Sequence, residues 1–126
     1  MFKRIDHVEI VTGNIDATLN FYQNILGFKL KERIKMDMAP LHEIVYITLG
    51  DTMVEVLAVK DPAPASTNSF QAGYRIMAIE VEDMDKAVEF LKSKGVEISR
   101  PPMSLGKSKR GEIKDNNGFT IELRQW

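Results

Sequence analysis

The chain of 126 residues predicts an α+β fold: two βαβββ modules in tandem, forming curled mixed sheets around a cavity. Three observations predict it. The segment HVEIVTGNIDATLNFYQNILGF (7–28) lies over IMAIEVEDMDKAVEFLKSKGV (76–96) with a single deletion, which puts Asp16 on Asp85, Phe21 on Phe90 and Gly27 on Gly95. Each copy then ends in a strand carrying a glutamate, TMVEVL with Glu55 and FTIELR with Glu122, at nearly the same distance from the start of its copy. Period-2 alternation, a single helical stripe and more alternation follow one another in the same order twice.

In the first copy, residues 5–12 alternate as a half-buried strand, with Ile5, His7, Glu9 and Val11 on one face and Val8 and Ile10 on the other. Asn14 is a suitable N-cap for a helix whose apolar stripe runs through Ile15, Leu19, Tyr22 and Leu26, widened by Thr18, Phe21 and Ile25. Gly27 is its stop. Strands are predicted at 28–36, 43–49 and 52–59, the last two joined by a tight Gly50-Asp51 turn. The Pro-, Ala- and Ser-rich stretch KDPAPASTNS has no periodicity and reads as a linker. One domain is therefore expected over 1–126, made of a module 1–59, a linker 60–69 and a module 70–126, since a unit of about 60 residues is marginal alone. The second copy predicts a strand at 75–82, a helix from an Asp83 cap to Gly95, and a strand at 96–100. A loop, PPMSLGKSKRG, then leads to a strand at 112–115, an Asn117-Gly118 turn and a strand at 119–125.

Composition narrows the function. A formal net charge of −1 and a pI near 6.1 provide no polybasic field, so neither nucleic acid nor an anionic membrane is an expected partner. Small molecules are. The absence of cysteine removes disulfides, thiolate nucleophiles and Cys-ligated zinc, leaving N and O donors for any metal. No apolar run approaches the roughly 20 residues of a membrane span, and the N-terminus reads as a strand and not as a signal segment, so a cytoplasmic location is expected.

The chemistry-bearing residues sit at matched positions. His7, Glu55 and Glu122 occupy three of four, and Ile76 the fourth. A carboxylate in the middle of an apolar strand either faces solvent or is buried with a partner. If all three converge in a cavity, two carboxylates share a low-dielectric site, and either a divalent cation compensates them or one holds a proton. His/Glu/Glu suits Zn²⁺, Ni²⁺, Fe²⁺ or Mn²⁺. Glu9, two residues from His7 on the same strand face, is a candidate acid or base. Tyr46, Arg124 and His42, the last placed in a loop before a strand, are candidates for contacting substrate. The basic run 107–110 is expected to be mainly a solvated loop at the cavity mouth.

The doubled βαβββ plan, the opening IDHVEI, the FYxxxLGF helix end, AIEVEDMDKAVEFLKSKGV and the terminal IEL resemble the vicinal oxygen chelate superfamily, which includes glyoxalase I, methylmalonyl-CoA epimerase, extradiol dioxygenases, fosfomycin-resistance proteins and the metal-free bleomycin-resistance proteins. The resemblance implies a glyoxalase-like fold with metal ligands from the first and last strands of each module, here His7, Glu55, Ile76 and Glu122. Isoleucine cannot coordinate, which disfavours the members that need two histidines, the ring-cleaving dioxygenases among them. A glyoxalase-like lyase or isomerase retains three ligands, and the resemblance implies that its metal stabilises an enediolate while Glu122 leaves the metal to act as base. The same resemblance offers a metal-free small-molecule binding protein, an antibiotic-resistance or sensing member. It also implies a dimer or pseudo-dimer, and a homodimer is expected for so modest a core.

Overall fold

A computed structural model describes all 126 residues, which divide into two compact units, Met1–Pro64 and Ala65–Trp126. The division falls inside the Pro-rich segment, in which every residue from 60 to 69 is exposed.

The first unit begins with β1 (Val8–Thr12), shorter at its start than the alternation suggests, so His7 stands just before the strand. Asn14 caps the helix as its side-chain type dictates, its Oδ1 accepting from the Ala17 N–H at 3.0 Å. The helix α1 (Ile15–Leu19) continues as wider, π-type turns over Asn20–Ile25. There the Leu26 N–H reaches back five residues to the Phe21 carbonyl at 3.1 Å. A π-type turn takes up one extra residue, and this is the stretch in which the first copy is one residue longer than the second. Gly27, at φ +85°, ends the helix while the Phe28 N–H closes onto the Tyr22 carbonyl at 2.9 Å.

The strands β2 (Lys29–Met38), β3 (Leu41–Leu49) and β4 (Thr52–Val59) complete a sheet of order β1-β4-β3-β2. The β1–β4 pair is parallel and the other two pairs are antiparallel. Alternation divides this sheet cleanly. Val45, Ile47, Val54, Val56 and Ala58 are buried on one face together with Leu19, Phe21, Tyr22 and Phe28, and the rings of Phe21, Tyr22 and Phe28 meet edge-on at 5.4 and 5.5 Å. Tyr46, Glu55 and Leu57 belong to the opposite face. An ion pair ties β2 to β3: Glu43, its side chain 2% exposed, accepts from Arg33 Nε at 2.6 Å and Nη2 at 2.9 Å.

The second unit repeats the plan with β5 (Met77–Glu80), α2 (Met84–Ser93), β6 (Ile98–Leu105), β7 (Ser108–Lys114) and β8 (Thr120–Gln125) in a sheet of order β5-β8-β7-β6. Asp83 caps α2 through the Lys86 N–H, and Gly95 at φ +75° ends it. Met84, Val88, Leu91, Val96, Ile113, Ile121 and Leu123 form this unit's core.

The expected loop PPMSLGKSKRG is instead the heart of a hairpin. Pro101 and Pro102 lie within β6, an edge strand, the place in a sheet where proline is tolerated, and both fall in a stretch where the ladder is broken by register shifts on either side of Arg100. The basic run is corrected with it. Only Lys107 remains in the turn, Ser108 is buried, and Lys109 and Arg110 are strand residues.

Removing Arg33 would leave a buried carboxylate facing only Lys35, 3.5 Å away. We expect Arg33→Ala to destabilise the protein by about 3 kcal/mol in urea denaturation, the low end for breaking a buried pair because Arg33 is itself part-exposed. The guanidinium holds the Glu43 carboxyl below its ordinary value of 4.5. The pair's contribution is therefore present above pH 4.5 and is lost as pH falls through the lowered folded value. A stability profile without that acid loss would contradict the assignment.

Candidate metal centre and a matched arginine face

In the first unit, three strands converge on Glu55. It lies beside Glu9 across the parallel β1–β4 pair and beside Tyr46 across the β3–β4 pair, so sheet register alone puts these side chains on one face. His7 Nε2 lies 2.8 Å from Glu55 Oε2 and 3.4 Å from Glu9 Oε1. The donor atoms of His7, Glu9 and Glu55 all fall within 4.8 Å of one another. Glu55 is the buried member, with 7% exposure, whereas the Glu9 side chain is 56% exposed. The other imidazole nitrogen, Nδ1, is 2.8 Å from Asp6 Oδ2. This carboxylate fixes the ring's orientation through Nδ1, so Nε2, which faces Glu55 and Glu9, is the nitrogen at which a cation could take the place of a proton.

Electrostatics follows from that geometry. The Asp6 hydrogen bond raises the His7 pKa above 6.5, with Glu9 and Glu55 adding in the same sense. Asp6 is held below its ordinary value by the same bond. Tyr46 sits edge-on to the His7 ring, centroids 6.3 Å apart. Burial pushes its phenol up, and the charge of Glu55 and a hydrogen bond to it act in the same direction.

The matched face of the second unit carries different chemistry. Glu122 takes the position of Glu55, but its neighbour on β5 is Ala78 and its neighbour on β7 is Glu112. Glu122 accepts from Arg110 Nη2 at 2.9 Å through Oε2, and from Arg124 at 2.6 Å (Nη2) and 2.8 Å (Nε) through Oε1. Both of its oxygens are thus engaged by guanidinium groups. Arg110 also donates to Glu112 at 2.7 Å. Arg124 stacks over the Trp126 ring at 4.9 Å.

The residues singled out in the sequence therefore fall into three places. His7, Glu9, Glu55 and Tyr46 come together in the first unit. Glu122 and Arg124 belong to the arginine face of the second. His42 is an exposed residue of β3, not of a loop, and lines an open depression of about 610 Å³ with Met36–Leu41, Lys60 and Asp61, a set that includes none of the other candidates. Sequence reasoning missed Asp6, Arg110 and Glu112. For Arg110 and Glu112 the signal was the alternation KRGEIK, obscured by the two prolines upstream; for Asp6 it was the adjacency Asp-His.

The profile of the glyoxalase/bleomycin resistance protein/dioxygenase superfamily matches residues 4–123. This chain belongs to that superfamily. It is similar to lactoylglutathione lyase of Neisseria meningitidis serogroup A, 30% identical over 125 residues that cover 97% of this chain and 90% of that protein. It is also similar to human mitochondrial methylmalonyl-CoA epimerase, at 29% identity over 97% of this chain and 73% of the epimerase. Among solved structures, the glyoxalase family protein from Enterococcus faecalis superposes with a TM-score of 0.86 at 26% identity, over 98% of each chain.

The His7 proton is the sensitive reporter of this arrangement. In an NMR titration its midpoint should lie above 6.5, and Asp6→Asn should lower it more than Glu9→Gln does, because the Asp6 bond is the largest cause of the shift. A raised folded value means that the charged His7 stabilises the fold fully below about pH 6.5 and that this contribution is lost as pH rises through the folded pKa. An unshifted midpoint would rule out the Asp6–His7 contact.

Proposed function

We propose that this protein is a metal-dependent lyase or isomerase acting on a small oxygen-bearing substrate, with the divalent cation held by His7 and Glu55. The carrying observation is the tight grouping of His7, Glu9 and Glu55. The donor set fits: one imidazole oriented by a carboxylate, one buried carboxylate beside it, and a third, exposed carboxylate within reach, all hard or borderline N and O donors suited to Zn²⁺, Ni²⁺, Fe²⁺ or Mn²⁺. Such an ion supplies Lewis-acid polarisation of a substrate oxygen.

The remaining roles belong to the chain's own side chains. Glu55, in contact with His7 and bonded to Tyr46, is the fixed anion of the site. Glu9 is exposed and only loosely tied to His7, at 3.4 Å, so its carboxylate is free to take a proton from the carbon next to a substrate carbonyl and to return it. Glu122, the other candidate base and metal ligand, would first have to leave Arg110 and Arg124. Similarity to lactoylglutathione lyase and methylmalonyl-CoA epimerase supports a proton-transfer reaction on a carbonyl-bearing substrate. A cytoplasmic homodimer goes with this reading. No helix is long and apolar enough to cross a membrane, and exposed Met1, Phe2, Ile5, Phe70 and Tyr74 favour a covering partner.

One observation favours a second reading, a metal-free ligand-binding protein of the same fold. Ile76 cannot coordinate, and Glu122 already has both oxygens satisfied. His7 and Glu55 would then form a charged pair at the site, with no ion between them.

Metal analysis by plasma mass spectrometry after reconstitution separates the two. We expect near-stoichiometric divalent metal in the wild type, at least tenfold weaker retention in His7→Ala and Glu55→Gln, and retention unchanged in Glu122→Gln. A wild type that takes up no metal would end the first reading and leave the second.

A further inference from the structure

The second unit's arginine face is electrostatically incomplete. Arg110 and Arg124 stand directly opposite each other across β7 and β8, an arrangement of like charges that a sheet does not favour unaided. Glu122 lies against both, and Glu112 lies against Arg110 at 2.7 Å, Arg100 at 3.7 Å and Arg75 at 3.8 Å. Four guanidinium groups thus share two carboxylates, an excess of two positive charges.

The excess is not spread evenly over solvent-exposed groups. Arg110 is the least exposed of the four, its side chain 18% accessible, and it meets both glutamates through Nη2 alone. Its Nε is buried with no hydrogen-bond partner. A buried N–H of a charged group without an acceptor is a costly and uncommon feature of a folded protein, and here it occurs beside a surplus of positive charge. Arg124, 22% exposed, faces it across the β7–β8 pair, its Nε and Nη2 on Glu122 and its Nη1 donating to Ser108 Oγ at 3.4 Å.

We propose that this face binds a small carboxylate-bearing anion, with Arg110 and Arg124 as its two prongs. The planar, forked donors of arginine match the planar acceptor pair of a carboxylate. A dianion such as a dicarboxylate would neutralise the excess and give Arg110 Nε its acceptor. The site stands on the second unit's residues alone and does not depend on the metal reading.

The test is a titration of the wild-type protein with malonate at fixed ionic strength, followed through arginine side-chain Nε–H signals in nitrogen-15 spectra, with inorganic phosphate as a parallel arm. The expected result is a saturable shift of the Arg110 signal by malonate and a weaker response to phosphate. Arg110→Lys retains the charge that Glu112 and Glu122 need, so it should fold. It should nevertheless bind malonate at least tenfold more weakly, as should Arg124→Lys. His7→Ala should leave malonate affinity within twofold, which keeps this result separate from the fate of the metal reading. Equal affinity in the lysine variants would mean diffuse charge attraction and overturn the proposal. So would a non-saturating shift, or tighter binding of phosphate than of malonate.

Discussion

Everything at the candidate site follows from placing a carboxylate, Glu55, on a central strand where it is almost wholly removed from water. A buried carboxylate without partners costs several kcal/mol, so its neighbours must provide a proton, a cation or donors. Sheet topology decides which neighbours are available. Because β4 pairs with β1 in parallel on one side and with β3 antiparallel on the other, Glu55 has Glu9 and Tyr46 as cross-strand neighbours. His7, one residue before β1 begins, completes the group at 2.8 Å. Two carboxylates and one imidazole gathered there carry excess negative charge when the ring is neutral. That excess adds to the Asp6 hydrogen bond, the main hold on the His7 proton, and it is the charge that a divalent cation in the proton's place would offset.

The second unit meets the same constraint by another route. Glu122 occupies the equivalent central position, with 12% of its side chain exposed, but the residues that surround it have changed together. Ala78 stands where Glu9 is, Glu112 where Tyr46 is, and the facing pair Arg110 and Arg124 where Ile44 and Leu57 are. Internal guanidinium groups now compensate the carboxylate. The two faces therefore differ in sign: the first has an excess of acceptors, the second an excess of donors. One scaffold with two matched registers thus carries opposite local charge through a handful of substitutions, none of which disturbs the apolar face behind them.

Much of this was legible in the sequence where a local physical rule has little competition. Asn14 and Asp83 cap helices, Gly27 and Gly95 end them at positive φ, and the Gly50-Asp51 turn joins its strands as its residue types require, while between β7 and β8 the corner falls one residue earlier than expected, on Asn116-Asn117, with Gly118 following at positive φ. The doubled plan followed from the repeat. The largest loss came at Pro101-Pro102. Two adjacent prolines argue against a strand unless the strand lies at an edge, and whether it does is a property of the whole sheet and not of the segment. Treating 101–111 as a loop removed Arg110 and Glu112 from view, and with them the partners of Glu122.

That loss explains how the site residues divided. His7, Glu9 and Glu55 could be grouped from sequence because one strand face and one repeat position contain them. The surroundings of Glu122 could not be, because its partners come from a strand that the local pattern conceals. A residue matched across an internal repeat inherits its place in the sheet, and that place obliges it to find a counter-charge. Which counter-charge it finds depends on the residues opposite, which the repeat does not constrain. Matched glutamates are thus firm evidence of matched architecture, while their chemistry has to be read from cross-strand neighbours: imidazole and phenol around Glu55, two guanidinium groups around Glu122.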